Sequence, residues 1–337
     1  MRIVLLTPLV LGTTLCARAS FGDRADTYIN CVSKCESRIC HDLNWADSIS
    51  LPMRITQWSC TDDCKYGCMH AITDLAVENS EPIQQYHGKW PFWRFAGMQE
   101  PASVVFSLLN MWVHIRGAMR IQRMVSDNHP MGSYYRRFAL VSVNAWIWSS
   151  VFHTRDLPTT EKLDYFSAAL AILYALYFAV IRLFHLYPEK PPSSSANSVS
   201  VTFIAWKLIC VLVYLMHVSY LSLLPRFDYT YNIIFNLVVG MTHNLLWLTY
   251  SLPASIPLLR RFPYRPRSYR PPYASRAAVF VILTTVATFL ELFDFPPWGR
   301  IIDAHSLWHL ATVPITVLWY DFLVRDALDD GWKAQKA

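Results

Sequence analysis

Charge is scarce in this chain: of 337 residues only 16% are Asp, Glu, Lys or Arg, while 53% are hydrophobic and the mean hydropathy is +0.23. Soluble domains carry about 25% charged residues, so the shortage argues against an ordinary water-soluble globule. Sustained interleaving of basic and aromatic residues is also missing, as is any nucleic-acid fold signature, which removes nucleic acid as a partner. The chain has no internal repeat, and the polar segment 20–98 holds no Asn-x-Ser/Thr glycan acceptor. In place of these the sequence has several apolar runs near or above the ~20 residues needed to cross a bilayer. It reads as a multi-pass membrane protein, and the net charge of +6 belongs to loops that set topology.

The first residues, MRIVLLTPLVLGTTLCARAS, join Arg2 to a short apolar core and a small-x-small ending at Ala17-Arg18-Ala19. That pattern predicts a cleaved signal peptide over 1–19, with a retained anchor as the alternative. Residues 20–98 then turn polar and hold Cys31, Cys35, Cys40, Cys60, Cys64 and Cys68. Behind a signal, six cysteines in a small segment predict three disulfides in an oxidising lumen. Spacings of three intervening residues put thiols on one helix face, as in a stapled helical hairpin. Fifteen pairings are open, and a zinc or iron-sulfur site on the same thiols is the competing reading. Cys210 sits in an apolar run, where an inert buried thiol is expected.

Seven spans follow, near 101–121, 135–154, 163–185, 200–223, 230–251, 274–295 and 304–325, within a domain over 99–326 and ahead of a cytosolic tail over 327–337. With the cysteine segment in the lumen, the cytosolic stretches 116–137, 182–199 and 252–276 hold thirteen Lys and Arg, and the opposite loops hold four. The charge bias and the signal therefore give the same orientation. KPPSSSANSVS reads as a linker and RRFPYRPRSYRPPY as a basic connector. The predicted fold is an all-α membrane protein: a seven-transmembrane helix bundle with a small disulfide-rich N-terminal lumenal domain.

This topology sorts the ionisable residues. His153 falls at the lumenal end of span two, Asp164 at the lumenal start of span three, and His305 and His309 at the lumenal start of span seven. His114, His185 and His243 fall toward the cytosol, and His217 is a spare ligand or a structural group. Polar side chains in a membrane are costly, so such convergence marks a functional site. His305 and His309, four residues apart on a helix, lie about 6 Å apart along the axis and share a face. With His153 they offer three nitrogens to Zn2+, leaving a fourth position for water that ionises near neutral pH. Ser149, four residues before His153, faces the same pocket and can steady a developing oxyanion, and Asp164 can take a proton from water. Competing accounts are a structural histidine pair and a metal-free Ser149–His153 nucleophile. Asp156, Glu291, Asp294 and Asp303 are lumenal carboxylates that either join the site or act as interfacial groups and helix caps.

The blocks HGKWPFWRFAGMQEPASVVFSLLN, NAWIWSSVFHTRD, EKLDYFSA and LELFDFPPWGRIIDAHSLWHLATVP resemble the Per-like family, the post-GPI-attachment factor three proteins of the CREST superfamily of membrane hydrolases. The superfamily's Ser-x3-His motif falls on Ser149 and His153, its Asp on Asp164 and its His-x3-His on His305 and His309. The resemblance implies zinc on the three histidines, with Ser149 and Asp164 as the catalytic side chains. It also implies a phospholipase A2 that removes the sn-2 acyl chain from GPI-anchored proteins in the endoplasmic reticulum or, alternatively, the Golgi. A ceramidase-like amide hydrolase, or a non-catalytic seven-helix receptor or chaperone with structural zinc, are the alternatives. Trp90 and Trp93 are expected at the membrane interface rather than on a glycan.

Overall fold

The computed structural model describes residues 20–41, 45–187 and 200–333. The expected signal with Cys16, nearly all of the Pro/Ser linker and the last four residues of the tail lie outside the described residues.

The polar segment folds first into α1 (Asp26–Ile39), two short helices, α2 (Trp45–Ser48) and α3 (Leu51–Ile55), and the long α4 (Cys60–Glu78). Ser59 caps α4: its hydroxyl accepts from the Asp62 amide while the Asp62 carboxylate accepts from the Ser59 amide, so two orphan donors are satisfied reciprocally. Helices α1 and α4 pair through nested disulfides, Cys31–Cys68, Cys35–Cys64 and Cys40–Cys60. The pairing that residue types left open is thus an antiparallel ladder. Because all six thiols are consumed, the proximity of Cys40, Cys60 and Cys64 is that of adjacent disulfides and supplies no thiolate. Cys210 is free and buried.

Seven long helices follow: α5 (Pro101–Met124), α6 (Gly132–Thr154), α7 (Pro158–Leu183), α8 (Val201–Leu223), α9 (Tyr229–Ser251), α10 (Ser275–Leu292) and α11 (Ala304–Ala327). Neighbours in contact run α5–α6–α7–α9–α10–α11 and back to α5, a closed ring with α8 applied outside α7. Five of the seven, α7 through α11, are long and apolar enough to cross a membrane. The first two have the length but less apolarity, because polar side chains such as Ser107, Asn110, His114, Ser142, Ser149 and His153 are buried on their inward faces.

The disulfide hairpin is fastened over one end of this bundle. The Trp93 amide donates to the Arg300 carbonyl at 2.9 Å, Arg300 pairs with Asp74 at 2.6 Å, Arg155 with Asp62 at 2.6 Å, and Asp294 accepts from both Gln85 and Trp90 at 2.6 Å. Trp93 stacks on His70 with centroids 4.1 Å apart, and Trp90 is held by its indole donor, so both tryptophans serve in the fastening. At the far end the basic connector folds down as well. Arg261 and Phe262 are buried, and a dense aromatic core of Trp247, Tyr250, Trp319 and Phe322 packs there.

Candidate metal centre

Two helices, α6 and α11, deliver three imidazoles to one point at the end beneath the hairpin. His153 closes α6, while His305 and His309 lie one turn apart at the start of α11. That start is fixed by Asp303, whose carboxylate accepts from the Ser306 amide at 2.8 Å while the Ser306 hydroxyl receives the Asp303 amide. Asp303 is therefore a helix cap. His305 Nε2 lies 3.3 Å from His153 Nε2 and 3.0 Å from His309 Nε2, and one nitrogen from each ring falls within 4.8 Å of the others.

Each ring is held from behind by a different group. His153 Nδ1 donates to Glu100 Oε2 at 2.8 Å, His305 Nδ1 donates to Glu291 Oε2 at 2.6 Å, and His309 Nδ1 meets Ser107 Oγ at 2.9 Å. An ionised carboxylate only accepts, so the Nδ1 atoms of His153 and His305 carry hydrogen and their Nε2 lone pairs point at one another. Lone pairs converging at 3.3 Å repel unless a cation lies among them. The donor set therefore fits a divalent metal, with backing groups of the kind that orient metal-bound imidazoles. His153 and His309 are buried, and the His305 side chain is 35% exposed, so the cluster opens on the His305 edge.

Glu100 is the N-cap residue of α5 and sits between His153 and Lys89, whose ammonium also pairs with Asp156 at 3.2 Å. Burial alone would raise the Glu100 carboxyl, but Lys89 and His153 together outweigh it and hold the group well below the usual carboxylate range. Glu100 is thus a fixed anion. The Ser149 hydroxyl makes no hydrogen bond to the His153 ring among the described residues; it is 3.0 Å from Ser107 Oγ, which makes a Ser149–Ser107–His309 chain. Asp164 has no hydrogen bond or ion pair among the described residues, and its electrostatic neighbours include His153, His305 and Lys89. His217, the spare, is buried away from the cluster and stacks on Phe235 at 3.9 Å. His114 and His243 bond to Tyr320 and Asn244. Asp294 belongs to the hairpin fastening.

Ser107, Glu100 and Lys89 are the participants that residue types did not single out. A signal exists for the serine: Ser103, Ser107, Asn110 and His114 recur at helical spacing along α5, and all four are buried. Such a polar stripe on an apolar helix marks a face turned toward polar partners. Asn110 confirms the direction by donating to the His309 carbonyl at 2.7 Å.

The chain matches the Per1-like family over residues 50–327. It is 38% identical over 323 residues to the human protein named GPI-specific phospholipase A2-like PGAP3, an overlap of 95% of this chain and 93% of the relative. Against the Schizosaccharomyces pombe protein PER1 homolog it is 40% identical over 309 residues, 91% and 87% of the two chains. Against the Drosophila melanogaster post-GPI attachment to proteins factor 3 it is 38% identical over 326 residues, 93% and 91%. Likeness on this scale, along nearly the whole length, makes the chain a member of the Per1-like family.

Proposed function

We propose that this protein is a zinc-dependent phospholipase A2 that removes the sn-2 acyl chain of GPI-anchored proteins during lipid remodelling. The observation that carries the reading is the convergence of three Nε2 atoms whose Nδ1 atoms are each held from outside. The names of the relatives supply the substrate. His153, His305 and His309 would hold the ion. Zinc bound by three nitrogens acidifies water and polarises an ester carbonyl.

The remaining work falls to this chain's own groups. Asp164, unpaired and near the cluster, takes the proton from the attacking water. Ser149, at the end of the chain through Ser107, donates toward the oxygen on which negative charge develops. Glu100 stays ionised and keeps His153 in the tautomer that presents its lone pair. The exposed His305 edge is where the ester enters.

All seven long helices span the membrane in this reading, α5 and α6 tolerating polar residues because those face the bundle. The hairpin and the metal centre face the lumen, as the charge bias of the loops requires. Residence is in the endoplasmic reticulum membrane. Zinc analysis of purified protein, combined with mass spectrometry of a GPI lipid before and after incubation, tests ion and substrate together. His305→Ala is expected to lower zinc content and abolish loss of the acyl chain; a folded variant retaining both would overturn the reading.

A further inference from the structure

Between the disulfide hairpin and the bundle end lies a cavity of about 500 Å³ that the ester chemistry does not use. Its wall combines aromatic faces with ionic groups. Trp58 is sandwiched by two guanidiniums, with the Arg94 and Arg155 carbons each 4.4 Å from its ring centroid, and Tyr66 backs Arg94 at 4.2 Å. Arg94 and Arg155 pair with Asp63 and Asp62, yet Arg94 Nη1 and Arg155 Nε are buried donors lacking an acceptor among the described residues. Lys89 lines the cavity and is committed to Glu100 and Asp156. Lys65, the other lining cation, has no ion pair or hydrogen bond among the described residues.

The cavity adjoins the metal centre. Lys89 lines it while touching Glu100, and Glu100 holds His153. Arg155 and Asp156 follow His153 by two and three residues, so one short segment serves both places. A ligand filling the cavity would thus sit one relay away from the three imidazoles.

We infer that this cavity is the headgroup subsite: it takes the phosphate and polyhydroxylated ring that adjoin the glycerol of the lipid, while the acyl ester reaches the histidines. This rests on the reading of the protein as a lipid acyl hydrolase and names the part of the substrate that the hairpin holds. Phosphate calls for cationic donors, of which Lys65 is uncommitted and the two arginines are under-satisfied. A sugar-like ring calls for an aromatic face beneath its C–H groups and for a carboxylate that accepts from its hydroxyls; Trp90, a lining side chain whose ring meets no other ring or cation among the described residues, and Asp156 supply these. In a phosphatidylinositol-type lipid the phosphate is joined to the same glycerol as the sn-2 ester, which matches a subsite adjoining the metal centre. The hairpin, stapled by three disulfides, keeps that wall in place.

The test uses full-length protein in detergent and the water-soluble probe glycerophosphoinositol, with glycerophosphocholine as the control, read by tryptophan fluorescence and calorimetry. Wild type is expected to bind the inositol probe in preference to the choline one. Lys65→Gln, a mild change in a half-buried side chain, is expected to weaken binding about five-fold, the loss of one charge-assisted contact. Trp90→Phe should reduce the fluorescence response and the affinity further. His305→Ala should bind the probe as wild type does while losing hydrolysis, which separates the two readings: failure of hydrolysis in wild type strikes the enzyme, and failure of probe binding strikes only the subsite. Equal affinity for both probes, or affinity unmoved by both Lys65→Gln and Trp90→Phe, overturns the inference.

Discussion

At the scale of single residues, the centre is defined less by its three imidazoles than by the groups behind them. Ser107 is fully buried and its hydroxyl joins His309 to Ser149. Ser107→Ala removes the hydroxyl that lies 2.9 Å from His309 Nδ1 and helps to orient that ring. Groups one step behind a metal ligand are typically worth about 10–100-fold in metal affinity, and that loss is expected here, measured by competition with a chelator of known affinity. Asp164 predicts the opposite pattern. Because it bonds to no ring, Asp164→Asn should leave zinc content at the wild-type level while turnover falls about 100-fold or more, the ordinary worth of a positioned base. Unchanged acyl release by that variant would remove Asp164 from the chemistry. Together the two substitutions separate holding the ion from moving the proton.

At the scale of helices, the position of Ser107 depends on how closely α5 approaches α11. Gly117 permits that approach, since a Cβ there would lie 2.4 Å from the Tyr320 ring, and Tyr320 cannot swing away without breaking its 2.9 Å bond to His114. Gly117→Ala is expected to cost about 1–3 kcal/mol through overpacking, seen as a lower thermal midpoint in detergent. Zinc affinity should fall with it, because the helix that carries Ser107 is pushed off. The seven long helices themselves were legible in the chain, most starting and ending within a few residues of the apolar runs, because an apolar stretch of that length has few other uses. The imidazole pair on α11 was legible too, since a four-residue spacing fixes co-facing side chains. What was not legible was contact chosen by tertiary packing: Glu100 meets His153 across 53 residues and Ser107 meets His309 across 202. The disulfide ladder was hidden for a different reason, as thiol spacing restricts faces and leaves partners undetermined.

At the scale of the whole molecule, the bundle is closed at both ends by buried charge, and the two ends have separable roles. Opposite the histidines, Arg182 on α7 donates twice to Asp326 on α11, at 2.7 Å each, with both side chains fully buried. Asp326 also accepts from Tyr135 at 3.2 Å and Tyr250 at 2.8 Å, so α6, α7, α9 and α11 meet on one carboxylate. Arg182 reaches on to the Arg261 carbonyl and draws down the connector that residue types suggested was only a link. Removing one partner of such a pair strands a buried charge and costs about 3–5 kcal/mol, whereas replacing both with apolar groups of similar volume is often close to neutral. Asp326→Asn is therefore expected to lower the thermal midpoint sharply, and Arg182→Met with Asp326→Leu to lower it less. The 21 residues of α11 between His305 and Asp326 span about 30 Å at helical rise. Over that distance the folded fraction of either variant should retain the zinc content of wild type. Loss of metal in parallel with the midpoint would instead mean that the clasp sets the geometry of the histidines, and that the two ends of the bundle act as one unit.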